Sequence, residues 1–292
     1  MRSGFCAIVG RPNVGKSTLL NAVVGQKVAI TTPVPQTTRH AIRAVLHRDD
    51  LQIVFVDTPG VHKPKTLLGS RLNDVARGAL SEVDCIVFLV DGAAGIGRGD
   101  EFMARLLSEV DTPIIAALNK VDRLNKNLQL PQLVRLSELG EWDEIIPISA
   151  ANGEGVGELV DLIADRIPEG PPYFPEGQVS DQPIEQLVSE IIREKAITEM
   201  REEVPHSIAV VVEEIGPGES EGVTAVHAVL YVERESQKGI VIGKGGTVLR
   251  DIGARARAEL ELILGTRVYL DLRIKLAKEW QRDPKKLQRL GY

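Results

Sequence analysis

"GRPNVGKS", residues 10–17, is a complete G-x-x-x-x-G-K-S set between the apolar run "FCAIVG" (5–10) and the helical pattern "STLLNAVVG" (17–25). Strand, glycine turn and helix in that order make a phosphate loop, because freed backbone N–H groups and a helix N-terminus converge on one anion. Lys16 would then supply a point charge to the β and γ oxygens, and the Ser17 hydroxyl would serve as a magnesium ligand. Outward from this loop, "QIVFVD" (52–57), "CIVFLVD" (85–91), "PIIAALNK" (113–120) and "EIIPIS" (144–149) read with "FCAIVG" as buried parallel strands. The segments between them read as crossover helices, the first stopped by Gly25 and the last by Pro168. Such alternation predicts a doubly wound α/β sheet with ligand loops at the carboxyl ends of its strands.

Three more motifs fall where such loops are expected. "VFVDTPG" (54–60) puts Asp57 at a strand end, able to hold magnesium through water, with the Gly60 N–H placed to sense a γ-phosphate. "NKVD" (119–122) selects the base: the Asp122 carboxylate can accept from guanine N1–H and the 2-amino group, a donor pair that adenine lacks. Asn119 would tie loops together, the Lys120 stem would cover the ring, and the Ala150 N–H of "SAANG" (149–153) would meet the guanine oxygen. "TTPVPQTTRH" (31–40) is an apolar-poor connection in the place of a mobile switch; Thr37 and Thr38 compete to complete the magnesium shell, and Thr38, beside Arg39, is preferred. The expected nucleotide contacts are therefore Gly10, Arg11, Pro12, Asn13, Val14, Gly15, Lys16, Ser17 and Thr18, then Asp57, Thr58, Pro59 and Gly60, then Asn119, Lys120, Val121, Asp122, Ser149 and Ala150. Lys16, Thr38, Asp57, Gly60 and Asn13 are the expected catalytic set, with Ser17, Thr38 and Asp57 on the metal.

The chain has 292 residues, which favours two domains over one core. Cys6 and Cys85 each sit in an apolar run and read as small core residues rather than a disulfide or metal site, in keeping with a reducing cytoplasm. No apolar run approaches the roughly 20 residues of a membrane span, and "MRSGFCAIVGRP" turns too early for a secretory signal. The net charge of −6 is unevenly spread: residues 173–235 carry 4 Lys and Arg against 14 Asp and Glu, residues 236–292 carry 13 against 6. A basic final fifth attracts polyanions locally despite the acidic total.

A proline- and glycine-rich stretch, "PEGPPYFPEGQVSDQP" (168–183), reads as a connection. The expected division is a nucleotide domain over 1–170, a linker over 171–182 and a second, smaller α+β domain over 183–292. Beyond the linker the patterns run α, β, β, α, α, β, with "IVIGKGG" (240–246) at the junction of the last two helices. Three glycines around one lysine again free backbone N–H groups for phosphate, here inside the basic fifth.

Taken together, "GRPNVGKSTLLN", "QTTRH", "DTPGVH", "NKVD" and "SAANGEGV" resemble the bacterial Era GTPases, and the tail with "GIVIGKGG" and "RDPKKLQRLGY" resembles their type II KH domain. The resemblance spans essentially the whole chain. It implies hydrolysis of GTP to GDP and phosphate with Mg²⁺, and binding of the single-stranded 3′ end of small-subunit (16S) ribosomal RNA during assembly of the small ribosomal subunit. Gly243, Lys244, Gly245 and Gly246 would clamp RNA phosphates beside an apolar groove for bases, with Arg250, Arg255 and Arg257 either supporting charges or a solvated face. Val61 follows "DTPG" where Ras-type GTPases carry a water-orienting glutamine, so slow hydrolysis is expected. Asn13 matches a position that binds K⁺ in some related GTPases; a local turn former is its other reading. A monomer is expected, in the cytoplasm, with peripheral contact at the inner face of the cell membrane as a further expectation. An alternative reading is a GTP-gated docking protein whose basic C-terminal helix, "LRIKLAKEWQRDPKKLQRL" (272–290), sits on an anionic membrane or a protein partner.

Overall fold

The computed structural model describes residues 1–35, 37–57, 66–78 and 82–292. In chain order the elements are β1 (Arg2–Val9), α1 (Lys16–Val24), β2 (Ile42–Arg48), β3 (Leu51–Asp57), α2 (Leu67–Gly78), β4 (Cys85–Asp91), α3 (Arg98–Leu107), β5 (Ile114–Asn119), α4 (Lys126–Ser137), β6 (Glu144–Pro147) and α5 (Val156–Ala164). They continue with α6 (Ile184–Glu199), α7 (Val204–Ser207), β7 (Ala209–Pro217), β8 (Val223–Val232), α8 (Glu235–Ile242), α9 (Thr247–Leu264), β9 (Arg267–Leu276) and α10 (Pro284–Arg289). The chain divides into two compact units. One holds Met1–Ala29, the described part of Thr38–Lys65, and Gly69–Asp181; the other holds the described part of Ile30–Thr37, Thr66–Leu68 and Gln182–Tyr292.

The first unit is a six-stranded sheet in the order β2-β3-β1-β4-β5-β6. β3, β1, β4, β5 and β6 are parallel, and β2 joins antiparallel at the edge beside β3. Every residue of β3, β4 and β5 is buried, as strands covered on both faces must be. Alternation along β1 feeds two apolar clusters: Cys6 and Ile8 pack with α1 and α5, Ala7 and Val9 with α3 and α4. Cys6 and Cys85 are buried free thiols facing each other in register across β1 and β4, and burial with the neighbouring Cys85 holds the Cys6 thiol well above its usual range. β1 lies between β3 and β4, so the strand order reverses at the loop that follows it, the place where a ligand crevice opens in such sheets.

The Pro- and Gly-rich stretch before Gln182 is held along this unit. Gln52, fully buried, accepts the N–H groups of Tyr173 and Phe174 on Oε1 and donates to the Phe174 carbonyl, and Val45 N–H donates to the Val179 carbonyl.

In the second unit the sheet order is β7-β8-β9, antiparallel then parallel, over an apolar core from α6, α8 and α9. Ile30 is part of that core, the Thr31 N–H donates to Glu194 Oε1 at 2.9 Å, and the buried Arg193 guanidinium donates to the Thr37 carbonyl. The expected helix over 272–290 is corrected. Leu272–Leu276 are the end of β9, paired with β8, and α10 starts only at Pro284 behind the capping carboxylate of Asp283. Pro284 is at the first turn of α10, a position that suits proline at a helix start, so the basic residues are split between a strand and a short helix and do not line a single long face. Trp280 is buried between these pieces, donating to the Ser207 carbonyl at 3.0 Å and stacking on Tyr292.

Candidate nucleotide site

Four carboxyl-end loops of the first unit supply the site. The phosphate loop leaves β1 at Gly10 (φ 154°) and enters α1 at Gly15 (φ 106°), conformations reserved for glycine. A Cβ would lie 2.4 Å from the Leu89 carbonyl oxygen at Gly10 and 2.4 Å from Asn119 Nδ2 at Gly15. Asn13 has φ 65°, which suits an asparagine in a turn. Buried Lys16 curls back so that Nζ donates to the carbonyls of Gly10 (3.1 Å) and Arg11 (3.2 Å). Burial pulls the Lys16 pKa down, opposed by the charge of Asp57.

The expected metal ligands converge. Ser17 Oγ lies 2.7 Å from Asp57 Oδ2 and 2.9 Å from Thr38 Oγ1, and Thr38 Oγ1 lies 3.4 Å from the same Asp57 oxygen. Asp57 is fully buried and its Oδ1 has no hydrogen-bond partner among the described residues. Burial raises its pKa, while Lys16, Ser17 and Thr38 pull it down. A buried carboxylate with one orphaned oxygen beside two hydroxyls is a hard all-oxygen donor set, the chemistry Mg²⁺ takes, so the residues fit that ion. Thr37 is turned elsewhere, its hydroxyl 2.6 Å from Thr32 Oγ1. Thr58, Pro59, Gly60 and Val61 lie outside the described residues, as does Gln36.

On the base side Asn119 ties the loops as expected: Nδ2 donates to the Val14 carbonyl at 2.8 Å, and Oδ1 accepts the Ala150 N–H at 2.9 Å. The Ala150 N–H, expected to face a guanine oxygen, is thus donated to Asn119, whose buried acceptor needs a partner. Ser149 Oγ donates to Asp122 Oδ1 at 2.6 Å, fixing the carboxylate that would read the base. Lys120, at φ 63°, extends so that Nζ meets the Asn13 carbonyl and Asp91 Oδ2, each at 2.6 Å. The sequence reading leaves Asp91 unassigned, although a signal was present: "FLVD" ends β4 as "VFVD" ends β3. Arg11 Nη2 donates to the Gly95 carbonyl and Nε pairs with Asp100, which the sequence reading also leaves unassigned.

The glycine loop of the second unit joins α8 to α9. Gly243, Gly245 and Gly246 have φ of 71°, 63° and 77°, and Lys244 is exposed. A Cβ at Gly243 would lie 2.4 Å from Val248 Cγ2, whereas Gly245 and Gly246 have nothing within 4 Å of one. Ile240, half exposed on α8, gives the loop an apolar neighbour. Of the three arginines, Arg250 reaches toward the Gly245 carbonyl, Arg255 is committed to an ion pair with Glu199, and Arg257 is exposed.

Comparison with known proteins follows this division. The family described as "50S ribosome-binding GTPase" matches residues 5–120, and the family described as "KH domain" matches residues 203–281. The chain is similar to the GTPase Era of Mycobacterium avium (strain 104), 52% identical over 295 residues that cover 100% of this chain and 99% of the relative. Era of Mycobacterium tuberculosis (strain ATCC 25177 / H37Ra) is also 52% identical, with 99% and 98% covered. Among solved structures, Era in complex with MgGDPNP and nucleotides 1506–1542 of 16S ribosomal RNA superposes with a TM-score of 0.97 at 42% identity, covering 100% of this chain and 99% of the other. A tyrosine-to-alanine variant of Aquifex aeolicus Era bound to GDP·AlF4⁻ gives 0.96 at 42% identity, with the same coverage.

Proposed function

This chain belongs to the Era family of GTPases, and from that premise we propose that it is a GTP-hydrolysing switch that binds the 3′ end of 16S ribosomal RNA and assists assembly of the small ribosomal subunit. The observation that carries the reading is the presence of two glycine loops with different surroundings in one chain, one walled in beside a magnesium-type donor set and one open beside Lys244. Residues 1–170 form the GTPase part in this proposal, 171–182 the linker and 183–292 the KH part. Ser17, Thr38 and Asp57 would hold Mg²⁺, which would supply charge neutralisation to the bound phosphates. Lys16 gives up the Gly10 and Arg11 carbonyls for phosphate oxygens. Asp122, oriented by Ser149, selects guanine. Gly243–Gly246 approach RNA phosphates through the backbone.

The switch reading draws support from chain connectivity. Thr38 would bind the metal, and the adjacent Thr37 has its carbonyl bonded to Arg193 of the second unit. A change in Thr38 on loss of the γ-phosphate is therefore one peptide bond from a group that the RNA-binding unit holds. The protein would act as a cytoplasmic monomer. Peripheral contact at the inner face of the cell membrane remains part of this reading; among the described residues no helix is long and apolar enough to cross a membrane, and the basic end is divided between β9 and α10.

GTP turnover, measured with and without a short RNA carrying the 16S 3′-end sequence, tests the whole reading. Saturable acceleration or inhibition by that RNA and not by its scramble is expected. Turnover indifferent to an RNA that does not bind overturns the RNA half, and absence of turnover overturns the enzyme half. The same assay in potassium and in sodium at constant ionic strength tests Asn13: faster turnover in potassium, lost in Asn13→Ala, supports an ion there, and equal rates leave Asn13 as a turn former.

A further inference from the structure

The loop "DGAAGIGRGD", Asp91–Asp100, joins β4 to α3 and belongs to none of the motifs that would read the nucleotide. Its groups nevertheless hold two of those motifs, the phosphate loop and "NKVD". The Gly92 N–H donates to the Asn119 carbonyl at 2.8 Å, and a side chain at Gly92 would press on that same oxygen, 3.1 Å from a Cβ. Asp91 Oδ2 binds Lys120 Nζ at 2.6 Å, and that ammonium also donates to the phosphate loop's Asn13 carbonyl. Asp91 does not swing freely, because its Oδ1 accepts the Ala94 N–H at 3.0 Å.

At the far end of the loop the pattern repeats with other residues. Gly95, at φ 73°, presents its carbonyl to Arg11 Nη2 at 3.0 Å. Asp100, 0% exposed, lies 3.3 Å from Arg11 Nε through Oδ1 and accepts the Gly97 N–H on Oδ2 at 2.9 Å. Gly97 and Gly99 lie alongside the Arg11 side chain, which a Cβ at either would touch at 3.6–3.8 Å. The Arg11 carbonyl in turn accepts from Lys16 Nζ. Lys120 and Arg11 are thus matched by Asp91 and Asp100, while Lys16 Nζ meets carbonyl oxygens it can exchange for phosphate.

We propose that the Asp91–Asp100 loop is a brace across the nucleotide site, with Asp91 and Asp100 as positioning residues that set how long a nucleotide stays bound. Asp91 acts through Lys120 on the base side, and Asp100 through Arg11 on the phosphate side. A lysine ammonium on a four-carbon stem loses much freedom when it covers a ring, and an anchored ammonium has lost that freedom before the ligand arrives. The proposal rests on the nucleotide-site reading above. Two buried or half-buried ion pairs that merely stabilise the fold are the competing explanation, and coupling energies separate the two.

The experiment follows release of a fluorescent GDP analogue from the full chain by stopped flow. It uses Asp91→Ala, Asp91→Asn, Lys120→Ala and the Asp91→Ala/Lys120→Ala double variant, with melting temperatures alongside. Asp91→Ala should speed release by about tenfold or more, and the double variant should release no faster than Lys120→Ala alone, since both remove one interaction. Asp91→Asn, which keeps an oxygen but loses the charge, should fall between wild type and Asp91→Ala; it carries the cycle if the alanine variant misfolds. Asp100→Asn with Arg11→Ala forms a second cycle with the same expectation. Release at the wild-type rate, or effects that add in the double variants, overturns the brace. Failure of the wild-type chain to bind the analogue at all is a different result and overturns the nucleotide-site reading itself.

Discussion

Gly10 and Gly15 are walled in, by the Leu89 carbonyl and by Asn119 Nδ2, whereas Gly245 and Gly246 meet nothing within 4 Å of a would-be Cβ. Both loops use positive φ at their glycines, and both carry one lysine, Lys16 buried and Lys244 exposed. The difference lies in what surrounds them. A caged loop presents fixed groups at low dielectric and suits a small ligand taken up almost whole, whose charge and shape can be read from several sides. An open loop can touch only what passes over it, which suits one or two phosphates of a polymer whose remainder stays in solvent. Glycine-rich sequence alone does not separate the two; the residues packed around each loop do.

The largest expected effect breaks the caged side. Asp122→Asn exchanges the acceptor that pairs with guanine for an amide, and a site built around such a pair discriminates by roughly ten-thousandfold. GTP affinity should fall by about that factor, and xanthine nucleotides, whose 2-oxo group accepts from the new amide, should become the better ligands. Ser149 Oγ, which donates to Asp122 Oδ1, can still donate to the asparagine oxygen, so the side chain stays oriented. A competition assay in which the variant keeps its preference for GTP removes Asp122 from the base site.

On the open side, Lys244→Asp with Gly245→Asp replaces one positive charge and one bare backbone by two carboxylates. RNA affinity should fall by roughly a hundredfold or more, most steeply at low salt where phosphate repulsion is least screened. GTP binding measured without RNA should persist, because Gly10–Ser17 and Asn119–Asp122 belong to the other unit and are untouched by the substitutions. Filter binding at several salt concentrations, with circular dichroism to confirm folding, reads the outcome. A folded double variant that holds the RNA normally shows that the open loop is not the clamp.

The local part of this organisation was readable from sequence. Apolar runs ending in Asp57 and Asn119, the glycine turn into α1 and the α, β, β, α, α, β order of the second half all follow from periodicity and turn chemistry. The family resemblance added the RNA and stands with the full-length likeness to Era. What escaped depends on partners distant in sequence. β2 was absent from the five strands read as the sheet, because it alone runs antiparallel and alternates buried Ile42 and Ala44 with exposed Arg43 rather than forming an unbroken apolar run. Asp91 and Asp100 look like ordinary loop acids until Lys120 and Arg11 arrive beside them, and Arg255 looks free until α6 brings Glu199. The basic end reads as one helix only in the docking alternative, which overlaps the final strand of the α, β, β, α, α, β order; β9 and Pro284 divide it.

The smallest expected effect sharpens the comparison most. Gly245→Ala adds one methyl to the open loop at φ 63°, a left-handed conformation that costs an alanine about 1 kcal/mol. Nothing lies within 4 Å of that methyl, so the second unit should keep its structure and lose only this much stability. If the loop meets RNA through its backbone, the methyl stands where a phosphate must come close, and RNA affinity should fall by about fivefold beyond any effect of unfolding, about 1 kcal/mol. Gly243→Ala provides the contrast. Its Cβ would lie 2.4 Å from Val248 Cγ2, so it should act on stability first, lowering the melting temperature of the second unit more than Gly245→Ala does. The two variants therefore pull apart a glycine needed for packing and a glycine needed for contact. Equal loss of RNA affinity in both, in proportion to their melting temperatures, means that openness at Gly245 is a property of the turn and not of recognition.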